Sequence, residues 1–406
     1  MNAISRLRFL GHLGQGAAFL TMTEINLFCA GSSVRDFGDP RPSPGSRADR
    51  LGVKTPILRA ILAGASAPSA HNTQPWKFAI QNDQEALLYV DENRLLLETD
   101  PPARQIHISQ GTFLEHLSLG AEADGFAARI KLFPQGAYDH RRIGKSPVAR
   151  IKLTRDDSVR VDSLFRWIPV RATNRAVYEG PLLTDREIET IERLVRPEHA
   201  RLRFINTPGR MKPFFKLFYR AFAVETNTPA KHDESRRWFR YNDHEIRKQR
   251  DGISLRGNGV SGLRLWLAEK FFLPPGKKAW HEKSNRDAGL DMFRKAIFSS
   301  RGLVFLSSPG NSPEDWVRAG REYARLQLAA TSLGLVMQPI SQALQEYPEM
   351  KEIRERCDQL AGVSGARRIQ MIARLGRSDY RYFSPRRALK SMIQSDRRST
   401  PAENSL

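Results

Sequence analysis

The ranges Gly111–Gly125 and Gly320–Gly334 share one pattern of apolar and polar positions. Each carries apolar residues at the spacing of a buried helical face, with an alanine ten residues after the first glycine and a second glycine fourteen residues after it. A glycine at the end of a helix suits a left-handed cap. The pattern therefore predicts two related helices, each closed by a glycine.

Other segments recur in the same order around these two helices. A predicted helix and a β-type run mark each half, about 55–66 with Val148–Leu153 in the first and about 184–195 with Ile369–Leu375 in the second. The shared order predicts an α+β fold of two repeats fused head to tail. We expect the first half over residues 31–155 and the second over 165–392.

The second half contains an insertion, about 212–300, that has no counterpart in the first. Two runs within it, 214–222 and 263–272, interleave aromatic residues with Lys and Arg. The insertion is either a helical lid whose apolar face covers a pocket or a helical embellishment that packs on the core. The two aromatic runs also suit a surface that lies on an anionic membrane, although we favour the lid. The Gly-x-Gly-x-x-Gly run at Gly257–Gly262 follows a charged stretch instead of a hydrophobic strand, so it predicts a lid loop rather than a dinucleotide site.

Composition narrows the classes of protein and ligand. The 40% of hydrophobic residues suit a folded chain, and no run of 18 apolar residues predicts a transmembrane helix. The net charge of +21 favours phosphate-bearing ligands, anionic membranes or nucleic acid, but no nucleic-acid reading motif accompanies it, so we expect no specific nucleic-acid partner. Two cysteines and nine scattered histidines predict no metal site.

The two ends of the chain carry separate expectations. Residues 1–30 are expected to be a leader, signal-like or disordered, and 393–406 a disordered tail. The prolines within Arg35–Arg50 predict an extended connector. We expect a cytoplasmic protein, or an exported or membrane-peripheral one if the leader is functional.

The most informative segment is the predicted helix-to-strand turn at Ala65–Phe78. It is rich in Ser, Asn, Thr and Gln, and two prolines fix its backbone. Asn72 and Gln74 can each donate and accept hydrogen bonds, as the edge of a planar polar heterocycle requires. His71 lies within the turn, where it either lines the site or, as we favour, is satisfied by the loop itself.

Residues Ala67–Trp76 read Ala-Pro-Ser-x-x-Asn-x-Gln-Pro-Trp, which resembles the flavin-binding loop of the FMN-dependent nitroreductase fold. Arg171–Arg175 and Arg236–Gly252 resemble the fused, lidded Acg-like branch of that superfamily. The resemblance spans about residues 30–392. It implies a nitroreductase-like α+β fold whose two fused repeats form a pseudo-dimer with a helical lid insertion.

In this fold one subunit provides the Ser-x-x-Asn loop and the other an arginine run, so the resemblance implies a division of labour between the halves. The second half keeps the arginine run, whereas the matching first-half positions, Gly31, Ser33 and Arg35, lack one arginine. Conversely, the second-half turn Arg196–Ala200 lacks Ser, Asn and Gln. We therefore expect one complete FMN site in a monomeric pseudo-dimer.

A buried phosphate needs charged donors that can bind it through two hydrogen bonds. Arg171 and Arg175 lie four residues apart with the Thr173 hydroxyl between them, and the pair Arg386–Arg387 either closes the site or belongs to a solvated basic tail. The expected cofactor-binding residues are Ser66, Pro68, Ser69, Asn72, Gln74, Arg171, Thr173, Arg175, Arg386 and Arg387.

The resemblance implies an FMN-binding oxidoreductase that transfers hydride from NAD(P)H through FMN to small nitroaromatic or quinone-like acceptors. The flavin carries the chemistry, so no catalytic side chain is expected. The alternative is a flavin-storing or flavin-sequestering protein with little turnover, and a third reading is a membrane-surface protein whose flavin site has decayed.

Overall fold

The computed structural model describes residues 41–136 and 138–394. The helices are α1 Pro44–Arg50, α2 Pro56–Gly64, α3 Arg104–Ala123, α4 Asp185–Val195, α5 Pro208–Asn227, α6 Pro229–Arg237, α7 Asp243–Gln249, α8 Gly262–Leu267, α9 Lys277–His281, α10 Lys283–Phe298, α11 Pro313–Ser332 and α12 Lys351–Ala361. The strands are β1 Trp76–Asn82, β2 Glu85–Val90, β3 Phe126–Leu132, β4 Ala149–Arg155, β5 Arg201–Ile205, β6 Phe239–Arg240, β7 Ile253–Ser254, β8 Gly302–Ser308, β9 Val336–Pro339 and β10 Arg368–Gly376.

Two four-stranded antiparallel sheets form the framework, and their strand orders match. The first sheet has the order β1-β2-β4-β3 and the second the order β5-β8-β10-β9. In each half a long helix, α3 or α11, connects the second strand to the next one in the chain. Helices and antiparallel sheets are thus combined as an α+β fold. The common topology is what two related repeats require.

The pattern of apolar positions located the main elements. The helices expected at about 55–66 and 184–195 are α2 and α4, and the two β-type runs are β4 and β10. The predicted cap glycines follow α3 and α11 in the left-handed region, with φ of +81° at Gly125 and +70° at Gly334.

One expected segment is wrong in the described part of the chain. Residues 44–50 form helix α1 and not an extended connector, because Pro44 fits the first turn of a helix and Ser43 Oγ accepts a hydrogen bond from the Ser46 N–H as its N-cap. At the other end, Ile393 and Gln394 of the expected tail contact β1, where Gln394 N donates to Phe78 O at 2.7 Å. The expectations for residues 1–30, for Gly31, Ser33 and Arg35, and for 395–406 lie outside the described residues.

Helices α3 and α11 cross face to face at two glycines. A Cβ atom on Gly111 would overlap the Val317 carbonyl oxygen and lie 2.9 Å from Gly320 Cα, and a Cβ on Gly320 would overlap the Ile108 carbonyl oxygen. The helices also exchange core residues. Val317 of α11 packs in the core of the first half, and Leu119 of α3 packs in a core of the second half.

A buried carboxylate reinforces this crossing. Glu115 of α3 accepts hydrogen bonds from Arg321 Nε and Arg325 Nη1 of α11, both at 2.9 Å. The buried Glu115 carboxylate is stabilised because each of its oxygens accepts a hydrogen bond from an arginine. The two halves are therefore held by backbone-to-backbone contact and by charge.

The insertion between β5 and β8 contains α5 to α10 and the short parallel pair β6-β7. Its two aromatic runs behave differently. Phe214 and Phe218 of α5 are buried and pack in a core with Phe305 of β8, whereas much of the run at 263–272 is exposed. Within residues 41–136 and 138–394, no helix combines the length and the apolar character needed to cross a membrane.

The glycine crossing gives a stability prediction. Gly320→Ala should lower the free energy of unfolding by about 3 kcal/mol, because the added methyl has no room between two backbones. Gly289→Ala is the control, since Gly289 lies inside α10 and a Cβ added there would have nothing within 4 Å, and it should stabilise the chain by about 1 kcal/mol. Urea unfolding of both variants measures the difference, and equal stability of wild type and Gly320→Ala would contradict the close crossing.

Candidate functional site

The turn between α2 and β1 has an unusual backbone. His71, Asn72 and Gln74 have positive φ angles of 46°, 54° and 52°. Such angles are uncommon outside glycine and need support from the surrounding structure. Within the turn, Ser69 Oγ accepts a hydrogen bond from Gln74 N at 3.0 Å. The turn is thus held in one shape that directs its polar groups.

Helix α3 supplies further support for this turn. Ala70 N donates to Ser109 Oγ at 3.1 Å, and Thr112 Oγ1 donates to the Pro68 carbonyl oxygen at 2.6 Å. Gln110 Nε2 donates to the Pro75 carbonyl oxygen at 2.6 Å. These bonds fix the turn to the same helix that crosses α11.

Arginines from the second half and the C-terminal arm meet this turn. Arg171 is 1% exposed and donates to Gln327 Oε1 at 2.9 Å and to the Ser66 carbonyl oxygen at 3.1 Å. Arg386 is buried and donates to Asn72 Oδ1 at 3.0 Å. With Arg175, they surround a small cavity of about 40 Å³.

These arginines have no counter-charge. Arg171, Arg175 and Arg386 form no ion pair with a carboxylate in the part of the chain that the structure describes. Burial lowers the pKa of Arg171 to about 10, and burial followed by the charge of Arg171 holds the pKa of Arg386 well below its usual range. A buried cation without a partner is costly, so the arrangement favours an anion.

Unpaired donors at the same cavity have the chemistry to bind that anion. Asn72 Nδ2, Arg171 Nε and Arg386 Nε are buried without a hydrogen-bond partner among the described residues. All three donate and none accepts, and guanidinium groups match the oxygens of a phosphate. The donor set therefore fits a phosphate group.

Arg41 is a fourth arginine at this cluster, and nothing in the sequence except its charge pointed to it. Its Nη1 donates to the Arg171 carbonyl oxygen at 2.7 Å, and its Nη2 to the Ser384 carbonyl oxygen at 3.3 Å. Burial, then the charges of Arg386 and Arg171, lower the pKa of Arg41 well below its usual range. Its contribution was missed because it lies in a segment expected to be a connector.

A larger cavity of about 410 Å³ adjoins the small one. Pro68, Ser69, Thr173 and Arg175 line both. The insertion adds apolar and aromatic wall residues, which include Phe222, Phe239, Phe272, Trp280, Met292 and Phe293. Its volume and its mostly apolar lining are those of a small-molecule site.

One wall of the larger cavity is polar. Glu225 Oε2 accepts from Gln345 Nε2 at 2.6 Å, and Ser235 Oγ lies 3.4 Å from both Glu225 Oε1 and His71 Nε2. Burial raises the pKa of Glu225 to about 7. Burial and then the charge of Arg175 lower the pKa of His71 to about 4. The His71 ring therefore lines the larger cavity and contacts the insertion, and it is not satisfied by its own loop alone.

The insertion is fastened to the turn by its segment Arg250–Gly252. Gly252 N donates to the Asn72 carbonyl oxygen at 3.3 Å, and Gln74 Nε2 donates to the Arg250 carbonyl oxygen at 2.8 Å. A side chain at Gly252 would overlap the Trp238 carbonyl oxygen, and its φ of +75° also favours glycine.

An ion-pair clamp strengthens the same attachment. Asp251 pairs with Arg94 of the first half at 2.8 Å and with Arg240 of the insertion at 2.6 Å. Both guanidinium groups lie over the Trp238 ring, at 5.9 and 5.8 Å from its centroid. Trp238, Arg240 and Asp251, which resembled a motif in the sequence, therefore contact one another in the structure.

The structure brings together most of the residues expected at the site. Seven of them line the small cavity, namely Pro68, Ser69, Asn72, Arg171, Thr173, Arg175 and Arg386, while Ser66 contributes its carbonyl oxygen to the arginines. Tyr382, Ser384, Gly252 and Gly257 also line it and were not expected, because their segments become neighbours only through tertiary folding.

Gln74 and Arg387 depart from the expected arrangement and line neither cavity. Gln74 Oε1 accepts from Arg387 N at 2.8 Å, so the Gln74 amide is occupied by protein backbone. The Arg387 side chain lies 3.3 Å from Asp91 on the other side of the turn. Both side chains tie the C-terminal arm to the turn.

The corresponding turn of the second half already holds an anionic side chain. The backbone N–H groups of Glu198, His199 and Ala200 donate to the Glu322 carboxylate at 2.7–2.9 Å. An anion from solution would have to displace this carboxylate. The two halves therefore differ in the chemistry of the equivalent turn.

The buried Glu225 gives a pH prediction. Its pKa is raised from 4.5 to about 7, so its stabilising contribution is complete below the unfolded pKa and is lost as the pH rises through about 7. Glu225→Gln removes this loss, so the stability of the variant relative to wild type should grow between about pH 5 and pH 8 by roughly 3 kcal/mol. Urea unfolding at both pH values measures it, with the exposed Glu282→Gln as control, and a pH-independent difference would contradict the prediction.

Comparison with known proteins gives relatives in Mycobacterium tuberculosis. The chain is 38% identical over 127 residues to "Uncharacterized protein Rv3127", covering 27% of this chain and 37% of that protein. It is 34% identical over 83 residues to "Putative NAD(P)H nitroreductase acg", covering 20% and 25%. These matches span little more than a third of the relatives' length at most.

A longer match covers most of the chain. "Putative NAD(P)H nitroreductase Rv3131" of the same organism is 23% identical over 352 residues, 84% of this chain and 91% of that protein. The FMN-dependent nitroreductase NfnB from Mycobacterium smegmatis superposes with a TM-score of 0.34 at 15% identity over 57% of this chain and 97% of its own, too loosely to carry an argument. No family model matches the chain. The names of these relatives support the resemblance to the nitroreductase superfamily found at residues 67–76.

Proposed function

We propose that the chain is an FMN-binding oxidoreductase of nitroreductase type, which transfers hydride from NAD(P)H through FMN to small nitroaromatic or quinone-like acceptors. The observation that carries the proposal is the group of buried arginines without a carboxylate, placed between the polar turn and a cavity of about 410 Å³. The named relatives described as NAD(P)H nitroreductases support it.

The residues fit FMN at its charged end. The phosphate would be held by Arg171, Arg175 and Arg386 together with the Thr173 hydroxyl. The Asn72 amide nitrogen, which has no partner among the described residues, would donate to the phosphate or to the part of FMN next to it. When bound, FMN supplies the hydride chemistry. The chain itself binds and orients the cofactor and excludes water with the aromatic wall of the insertion.

The proposed site lies at the junction of two halves that act as a fused pseudo-dimer. The turn and α3 come from the first half, whereas Arg171 and Arg175 come from the second. The equivalent turn of the second half is filled by Glu322, which supports one cofactor per chain. A monomer would therefore be sufficient, since no second copy has to complete the site.

The phosphate assignment predicts that Arg175 distinguishes FMN from riboflavin, which lacks the phosphate. Arg175→Ala should weaken FMN binding by about 10- to 100-fold, the range for losing a charge-assisted hydrogen bond, and leave riboflavin affinity nearly unchanged. Calorimetric titration measures both ligands and should give one FMN site per chain in the wild type.

Arg237→Ala is the matched control, because it removes the same charge from an exposed position of the insertion. It should leave both affinities at wild-type values. Equal loss of FMN and riboflavin affinity in Arg175→Ala would mean that Arg175 supports the fold of the site, and unchanged FMN affinity would remove it from the site.

The second candidate is a flavin-storing protein with little turnover. The observation that favours it is the attachment of the insertion, where Asp251 joins Arg94 to Arg240 and Gly252 is bonded to Asn72. An insertion held this firmly could keep a reductant away from the cofactor. The difference between an enzyme and a store is then the access of NAD(P)H to bound FMN.

Anaerobic addition of NADPH to the FMN-loaded chain separates the two functions. For an oxidoreductase, the visible absorbance of FMN should disappear in the wild type and return when a nitroaromatic or quinone is added. For a store, it should persist in the wild type and disappear only in Asp251→Asn, which loosens the clamp. Asp287→Asn, an exposed change in the same insertion, is the control.

A further inference from the structure

Residues 262–278, named here the aromatic ridge, form an exposed apolar surface on the insertion. The ridge contains α8, a π-helical turn at Ala268–Phe272 and the first residues of α9. Its exposed fractions are 50% for Trp266, 64% for Phe271 and 62% for Phe272. Four of the nine large exposed hydrophobic residues in the described part of the chain lie in this short range. Contiguous exposure of this kind marks an interaction surface.

The ridge has one buried anchor, and its aromatic rings lie outside the core. Leu265 of α8 is buried and anchors the helix, while Trp266 and Phe271 point outward and contact each other edge to face at 5.5 Å. The aromatic residues of α5, in contrast, are largely buried in the core around Phe305. Of two runs with similar composition, only the ridge presents its rings to solvent.

Positive charges surround these rings. Arg264, Lys270, Lys277 and Lys278 are exposed on the ridge. Its one acidic residue is Glu269, which is half-buried and has a pKa raised by burial. Cationic side chains beside exposed aromatic rings complement an anionic surface that has an apolar interior.

We propose that the aromatic ridge docks onto the surface of an anionic lipid bilayer. Trp266, Phe271 and Phe272 would enter the boundary between headgroups and acyl chains, while Lys270, Lys277 and Lys278 contact the anionic headgroups. The exposed turn Pro274–Gly276 lies between the aromatic rings and the pair Lys277 and Lys278 along the chain.

Charge favours lipid over a second copy of the chain. A two-fold contact through the ridge would place the same cationic patch against itself, and each chain already carries a net charge of +21. An anionic bilayer attracts the same patch and accepts its aromatic rings. The proposal does not depend on FMN, although Ala268, Phe272 and Leu273 of the ridge also line the larger cavity.

Flotation of the full chain with lipid vesicles tests the proposal. The chain should bind vesicles of phosphatidylcholine and phosphatidylglycerol in equal parts, and bind pure phosphatidylcholine vesicles weakly. The double variant Trp266→Ser/Phe271→Ser should reduce binding by about tenfold or more, because it removes the rings that enter the bilayer. Leu51→Ser is the matched control, since Leu51 is equally exposed elsewhere on the surface, at 58%.

A second pair of variants tests the charges. Lys270→Gln/Lys277→Gln/Lys278→Gln should weaken binding to the anionic vesicles and leave the weak binding to phosphatidylcholine unchanged. The control Lys131→Gln/Lys145→Gln/Lys152→Gln removes the same charge from exposed positions of the first half. Equal effects of the two triple variants would overturn the proposal, since attraction would then follow net charge and not the ridge.

Two further outcomes would also overturn it. Full vesicle binding by Trp266→Ser/Phe271→Ser would show that the rings do not enter the bilayer. Self-association of the wild type in sedimentation velocity without lipid, abolished by the same double variant, would identify the ridge as a contact between copies. Thermal unfolding confirms that each variant is folded, as expected for substitutions at exposed positions.

Discussion

The close crossing of α3 and α11 at Gly111 and Gly320 sets the geometry of everything around it. Each helix serves one component of the site. Ser109 and Thr112 of α3 hold the polar turn, and Gln327 of α11 holds Arg171. The distance between turn and arginine therefore depends on how closely the two helices approach. Only residues without a Cβ permit backbone contact at this point, so a small local constraint determines a site whose components lie far apart in the chain.

Each of the two helices contacts the helix-to-strand turn of its own half, and the two turns differ in their electrostatics. At the first-half turn, Arg171 and Arg386 pair with no carboxylate among the described residues, and the Nε of each lacks an acceptor there. At the second-half turn, Glu322 fills the backbone donors. One turn is complete by itself, and the other becomes complete with an external anion. Because an unpaired buried charge costs several kcal/mol, binding of an anion should stabilise the first turn.

Sequence predicted what local pattern and motif determine. Helical spacing located α3 and α11, and their cap glycines fixed their ends, because these properties depend on neighbouring residues. The turn motif and the arginine run identified six of the residues around the small cavity, and the C-terminal arginine pair added Arg386. Arg41, Ser384 and Gly252 were missed, since they reach the site through long-range packing. Gln74 and Arg387 were expected at the ligand, but residue type alone does not say whether an amide or a guanidinium faces a cavity or satisfies nearby backbone.

The insertion also shows that residue composition alone does not predict which side chains are buried. The runs at 214–222 and 263–272 have similar compositions, yet α5 continues as a full helix of 20 residues against β8. The helical part of the ridge, α8 and its π-helical turn, ends before Pro274 and Pro275. A long regular helix can align its aromatic residues on one face and bury them. The short helical segment of the ridge buries Leu265 and leaves Trp266, Phe271 and Phe272 largely in solvent. Similar sequences thus yield a core helix and an exposed surface because helix length, and not composition, decides how much of the apolar surface the core can cover.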